Sequence, residues 1–293
     1  MTISRRDFLK VAGLAVGCAL ALPESAEASP PPTDPNEHIA MLFDATICVG
    51  CNACTMACRQ WNGTSPETDA RLVYDAPKEL SADTFTLVQL YKAEDGEYSF
   101  VKRQCMHCVD PACVSGCPVQ ALQKTADGPV VYDPERCIGC RYCQYVCPFH
   151  VPRFEWDVAR FPVITKCHFC YESRIQKGIG GPACADRCPT GALIWGKRGD
   201  LLAEARKRIS ENSARYVDHI YGEEDACGTS VLYLSAVPFE KLGLEDLGTR
   251  AIPEISEGTA NLVLPGILIG GPILLGLVRA TAKRGGWEDT WPL

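Results

Sequence analysis

The stretch CIGCRYCQYVC, Cys137 to Cys147, puts four cysteines into eleven positions. The whole chain carries 18 cysteines in 293 residues, far too many for a passive core. A disulfide framework fits poorly, because such scaffolds belong to small domains short of core. Sixteen of the cysteines fall into four groups of four: Cys48, Cys51, Cys54, Cys58; Cys105, Cys108, Cys113, Cys117; Cys137, Cys140, Cys143, Cys147; and Cys167, Cys170, Cys184, Cys188. Cys18 and Cys227 are left over. The first and third groups have the form C-x2-C-x2-C-x3-C, and the others lengthen the gap before the third cysteine. Three thiolates at two-residue gaps can wrap one iron–sulfur cube, while the fourth, a helical turn beyond the third, points away toward a second cube. Three groups close with Cys-Pro (Pro118, Pro148, Pro189), and the first closes with Cys58-Arg59. Zinc also takes paired C-x2-C ligands, but it closes sets of four at one site and has no use for a displaced fourth thiolate. Four complete sets predict four 4Fe–4S clusters and no three-iron cluster.

The elements that position these ligands repeat. CMHC with CVSGCPVQAL (Cys105 to Leu122) corresponds to CHFC with CADRCPTGAL (Cys167 to Leu193), and CVGCNACTMAC to CIGCRYCQYVC, so the chain reads as four copies of one half-unit. Between the first two groups, Arg71 to Lys102 forms an insert without evident chemistry, with strands expected at Thr84 to Tyr91 and Tyr98 to Lys102 about the turn at Asp95-Gly96. The linker ALQKTADGPVVYDPER predicts a short helical turn, a turn at Gly128 and a strand at Val130 to Tyr132. Asp200 to Ile209 has helical periodicity with Asp200 as N-cap, and Ser230 to Ser235 reads as a strand. Ser29 to Glu37 is a proline-rich linker, and folded chain is expected from about Ile39.

The ends carry addresses. SRRDFLK (Ser4 to Lys10), the short apolar run Val11 to Leu22 and the small-x-small site Ala26-Glu27-Ala28 read as a twin-arginine export signal over residues 1–28. Cys18, after Ala15-Val16-Gly17, weakly resembles a lipoprotein box. Gly258 to Val278 contains no charge and, at about 1.5 Å per residue, just spans a bilayer as a helix. A buried Gly/Pro-rich segment is its alternative reading. Arg279, Lys283 and Arg284 follow it, which places the C-terminus in the cytoplasm and the globular part in the periplasm. Export of folded protein allows the thiolates to be bound to iron before they meet an oxidising compartment.

The net charge of −7 sets aside a nucleic-acid partner. There is no carboxylate dyad, Ser-His-Asp set, phosphate-binding glycine loop, or molybdopterin or nickel motif, so no catalytic residue is assigned. His107 and His168 read as loop packing or hydrogen-bond donors, since each group already has four cysteines. Lys102, Arg103, Arg141 and Lys166 flank the cysteine groups and read as surface charge, with a cation that raises a nearby cluster's potential as the alternative reading; Cys227 reads as a buried free thiol, and Gly178, Gly180 and Gly181 as a turn.

With these motifs, the chain resembles the four-cluster iron–sulfur subunits of bacterial respiratory oxidoreductases over nearly all of residues 40–280. QCMHCVDPACVSGCPVQAL, CIGCRYCQYVCPFHVPRF and VLYLSAVPFEKL look most like the ferredoxin-like subunit of periplasmic nickel–iron uptake hydrogenases. CNACTMACRQWN and DAPKELSADTFTL look more like the β subunit of respiratory formate dehydrogenases. The resemblance implies crossed ligand sets: Cys48, Cys51, Cys54 with Cys188; Cys167, Cys170, Cys184 with Cys58; Cys105, Cys108, Cys113 with Cys147; and Cys137, Cys140, Cys143 with Cys117. It implies an α+β fold of two interlocked dicluster ferredoxin-like modules with a C-terminal transmembrane helix. The boundaries are then a linker at 29–38, the first module at 39–104 and 161–200, the second at 105–160, an extension at 201–257, the membrane helix at 258–278 and a cytoplasmic tail at 279–293. It also implies a non-catalytic electron-transfer role between a catalytic subunit, of hydrogenase or formate dehydrogenase type, and a membrane quinone-reactive subunit; the alternative readings are the iron–sulfur subunit of another molybdopterin oxidoreductase and a non-redox interaction protein stabilised by zinc.

Overall fold

In the computed structural model the described residues are 34–64, 79–92, 96, 98–156 and 164–254. The export signal and the Gly258 to Val278 segment lie outside them. Strand β1 (Ile39–Asp44) is the central strand of a three-stranded sheet. It runs antiparallel to β8 (Leu193–Lys197), with Leu42 opposite Ile194, and parallel to β9 (Val231–Leu234), with Leu42 opposite Leu232. Alternation along β1 divides the core. Ala40 and Leu42 face the helix Arg198–Glu211 and meet its Leu201, Leu202 and Ala205. Met41 and Phe43 face the opposite way and pack with Phe169, Cys184, Val101 and Met106, so this face of the sheet floors the cysteine-bearing region.

Three two-stranded ribbons complete the sheets: β2 (Thr86–Lys92) with β3 (Tyr98–Gln104), β4 (Leu122–Lys124) with β5 (Val130–Tyr132), and β6 (Arg153–Phe154) with β7 (Ile164–Thr165). The helices are α1 (Ala53–Asn62), α2 (Ala112–Ser115), α3 (Tyr142–Val146), α4 (Ala183–Asp186) and α5 (Arg198–Glu211). This mixture of short helices and small sheets is the α+β class expected. Among the described residues no helix is long and apolar enough to cross a membrane.

Two local expectations are corrected. Leu122–Lys124 is a strand rather than a helical turn, because pairing with Val130–Tyr132 satisfies its backbone across the Gly128 turn. Asp200 sits inside the first turn of α5, whose N-cap is the extended Lys197 (φ −70°, ψ 141°). An acidic residue there still suits the helix dipole.

Candidate metal centres

The four C-x2-C pairs share one backbone device. The residue before the second cysteine is left-handed in every pair: Gly50 (φ 66°), His107 (46°), Gly139 (67°) and Phe169 (61°). That reversal curls each pair around a common point. Gly50 has a further reason to be glycine, since a Cβ there would fall 2.3 Å from Phe100 Cε1. The second residue after each Cys-Pro is left-handed too: Gln120 (52°), His150 (51°) and Gly191 (69°).

Each group then enters a short helix that carries its third cysteine: Cys54 on α1, Cys113 on α2, Cys143 on α3 and Cys184 on α4. The fourth cysteine follows about one turn later. Helix α1 packs on α4, and α2 on α3. Groups one and four therefore face one another, as do groups two and three.

The thiolates whose fields act on one another follow this pairing. Cys48 feels Cys54, Cys188 and Cys51. Cys58 feels Cys184 and Cys170, and Cys167 feels Cys58, Cys184 and Cys170. Cys108 feels Cys147, Cys113 and Cys105. Cys143 feels Cys117, Cys140 and Cys137. Each neighbourhood thus holds cysteines from two sequence groups. Neighbours outside these sets connect them in single file: Cys54 acts on Cys184, Cys105 on Cys167, and Cys143 on Cys113. We number the neighbourhoods in that order as quartets: first (Cys48, Cys51, Cys54, Cys188), second (Cys58, Cys167, Cys170, Cys184), third (Cys105, Cys108, Cys113, Cys147) and fourth (Cys117, Cys137, Cys140, Cys143). The second is wholly buried, whereas Cys51 in the first and Cys140 in the fourth are exposed.

The donor set suits iron–sulfur clusters. Burial pushes the thiol of Cys48 up to about 11, of Cys58 and Cys143 up to about 12, and of Cys184 up to about 11, with neighbouring thiolates adding to the rise. Such thiols ionise readily only when a bound cation replaces the proton. All 17 described cysteines are free of disulfides. Backbone N–H groups already point at sulfur: Ala121 N donates to Cys117 Sγ at 3.2 Å, and Gly139 N to Cys137 Sγ and Phe169 N to Cys167 Sγ at 3.4 Å. Buried polar atoms without a protein partner, Thr55 Oγ1 beside Cys54 and His107 Nε2 between Cys105 and Cys108, sit at the ligand loops. Among the described residues no three His, Cys, Asp or Glu converge closely enough for a single metal ion.

Both histidines behave as loop packing. His107 is buried, accepts from Val130 N at 2.9 Å through Nδ1 and stacks edge-on against Phe169. His168 Nε2 meets Asn62 Oδ1 at 3.1 Å. Three other expectations are corrected. Lys102 and Lys166 are not surface charges: they are 0% and 2% exposed, because an inward strand register and the approach to Cys167 turn their side chains into the protein. Lys166 Nζ donates to the carbonyls of Val130 at 2.6 Å and Cys167 at 2.9 Å. Cys227 is exposed rather than buried, carried outward on the turn Asp225–Cys227 with φ 65°. Gly181 does more than turn, since a Cβ there would lie 2.1 Å from the Trp195 ring.

Lys124, passed over in the sequence, is also drawn in: its Nζ donates to Cys108 O at 2.6 Å, and burial lowers it to about 8 against the pull of the Cys108, Cys105 and Cys113 thiolates. A lysine at an inward strand position next to a cysteine group was the available signal for Lys102 and Lys124.

A family model described as a 4Fe-4S dicluster domain matches residues 96–198. The chain is 34% identical to the hydrogenase-2 operon protein HybA of Escherichia coli O157:H7, across 96% of this chain and 97% of that protein. It is 37% identical to the nitrate-inducible formate dehydrogenase iron–sulfur subunit of Escherichia coli K12, across 69% of each. It is also 39% identical to a protein of Nitratidesulfovibrio vulgaris, across 96% of this chain and 78% of that one.

Proposed function

The chain belongs to the electron-transfer iron–sulfur subunits of respiratory oxidoreductases, and from that premise we propose that it holds four 4Fe–4S clusters and forms a non-catalytic conduit through them. When bound, such clusters supply reversible one-electron storage and transfer. The protein's part is to hold them at fixed spacing, exclude water from the middle and expose the two ends. The observation that carries this reading is the single file of four thiolate neighbourhoods, with the buried second quartet inside and Cys51 and Cys140 exposed at opposite ends of the order. The proposed ligands are the four quartets as numbered.

On this reading one exposed end meets a catalytic subunit, of hydrogenase or formate dehydrogenase type by analogy with the relatives' names, and the other meets a membrane quinone-reactive subunit. Exposed apolar side chains suit such contacts: Val49 and Met56 near the first quartet, and Ile138, Tyr145 and Trp156 near the fourth. The twin-arginine pattern and the uncharged Gly258 to Val278 segment support a periplasmic location on the inner membrane.

The test is purification of the native complex from membranes. About sixteen irons and sixteen sulfides per chain are expected, with a visible band bleached by dithionite and a co-purifying catalytic subunit. About eight irons, or zinc in place of iron, would overturn the four-cluster reading.

A further inference from the structure

A lysine without exposed surface stands where the first and second quartets meet. Lys102 lies on β3 opposite Val88, and its ammonium donates to Thr86 Oγ1 on the neighbouring strand. Tyr233 Oη donates to the Lys102 carbonyl at 2.8 Å and fixes the backbone there. The hairpin packs through β2 on α1, where Cys54 and Cys58 are one turn apart and share a helical face. The thiolates whose field acts on the ammonium are Cys184, Cys54 and Cys58. Cys54 belongs to the first quartet, and Cys58 and Cys184 to the second.

An ammonium in the interior is costly unless an anion compensates it. One threonine hydroxyl is a weak compensation. Lys166 differs, since two backbone carbonyls take its donors. For Lys102 the compensating charge is that of the two quartets themselves.

We propose that Lys102 is a positioning residue for electron transfer, a fixed buried cation shared by the first two quartets that raises the reduction potentials of the clusters they hold. The inference rests on the function proposed above. An electron arriving at either position adds one negative charge, and burial away from water makes that charge expensive, most of all at the wholly buried second quartet. A cation in the same dry region offsets the penalty and keeps the inner position from becoming a barrier. The electron comes from the adjacent donor, either the next quartet's cluster or the partner subunit docked at the exposed end, and that donor is oxidised by one equivalent. Lys102 keeps its proton throughout.

Stepwise redox titration followed by electron paramagnetic resonance tests this on the full-length protein. In Lys102→Gln, two of the cluster signals are expected to move to more negative potential, by roughly tenfold or more in the reduced-to-oxidised ratio at fixed potential, about 59 mV for one electron. The other two signals stay in place, and Lys102→Arg keeps all midpoints near wild type. Unchanged midpoints in a Lys102→Gln protein with full iron would overturn the role of Lys102 and leave the iron–sulfur reading intact. Absence of cubane signals from wild type would overturn both. If Lys102→Gln does not assemble, Thr86→Val carries the test: it removes only the ammonium's hydroxyl partner, so the same two signals should move to more positive potential, and no movement there overturns the proposal.

Discussion

Cys48 and Cys188, which open the first cysteine group and close the last, lie within each other's electrostatic field. Their separation in sequence is nearly the span of the whole cysteine-bearing region. The relationship makes the first and fourth groups interdependent: Cys188→Ala should disturb the cluster at Cys48, Cys51 and Cys54, and Cys58→Ala the cluster at Cys167, Cys170 and Cys184. Each variant should lose between one and four irons and alter a different paramagnetic signal. The same signal lost in both variants would rule out crossing.

Gly50→Ala should damage the first centre selectively. The position needs φ 66°, and the added Cβ would collide with the Phe100 ring. A non-glycine residue held left-handed costs about 1–3 kcal/mol before the clash is counted. Iron analysis should show a loss confined to one cluster, and Gly50→Ala combined with Phe100→Ala should recover part of it. Full iron in the single variant would contradict the argument.

Arg208→Met should destabilise the sheet-and-helix layer without touching the centres. Asp44 is fully buried at the end of β1 and accepts from Thr46 Oγ1 at 2.6 Å, Tyr216 Oη at 2.9 Å and Arg208 Nη1 at 3.1 Å. Removing the cation leaves a buried carboxylate with neutral donors only, at a cost of about 2–4 kcal/mol. Thermal unfolding followed by circular dichroism should show a midpoint lowered by several degrees, with the visible spectrum of the folded protein unchanged.

Acid should weaken the fold through His38. Burial, with Lys124 and then Arg198 nearby, lowers this imidazole to about 4 against its ordinary 6.5, while Asp34 and Asp127 act in the opposite sense. Above pH 6.5 it is neutral whether folded or unfolded and contributes no slope. Between about 6.5 and 4 only the unfolded chain takes the proton, so stability falls with falling pH across that window. His38→Gln should flatten this part of the pH dependence of the unfolding midpoint. An equal slope in variant and wild type would exclude His38 as its source.

The cysteine spacing alone pointed to the kind of cofactor and to the candidate ligands, because a C-x2-C-x2-C-x3-C run is a local constraint: neighbouring thiolates within one loop and turn can reach one cube regardless of the rest of the chain. The hairpin about Gly96 and the strand Val130–Tyr132 were legible for the same reason, since alternation and turn residues act within a few positions. Tertiary packing decided what depends on distant chain. Leu122–Lys124 became a strand only because β5 returns beside it. Cys227 turned outward at a left-handed residue that no spacing announces. Lys102 sits in an insert that looked chemically silent, and its burial within the field of Cys54 and Cys184 arises only when the hairpin packs through β2 on α1 and α4 packs against that helix. Local spacing can specify which atoms bind, but the charge and solvent around them are sums over neighbours brought together by the fold.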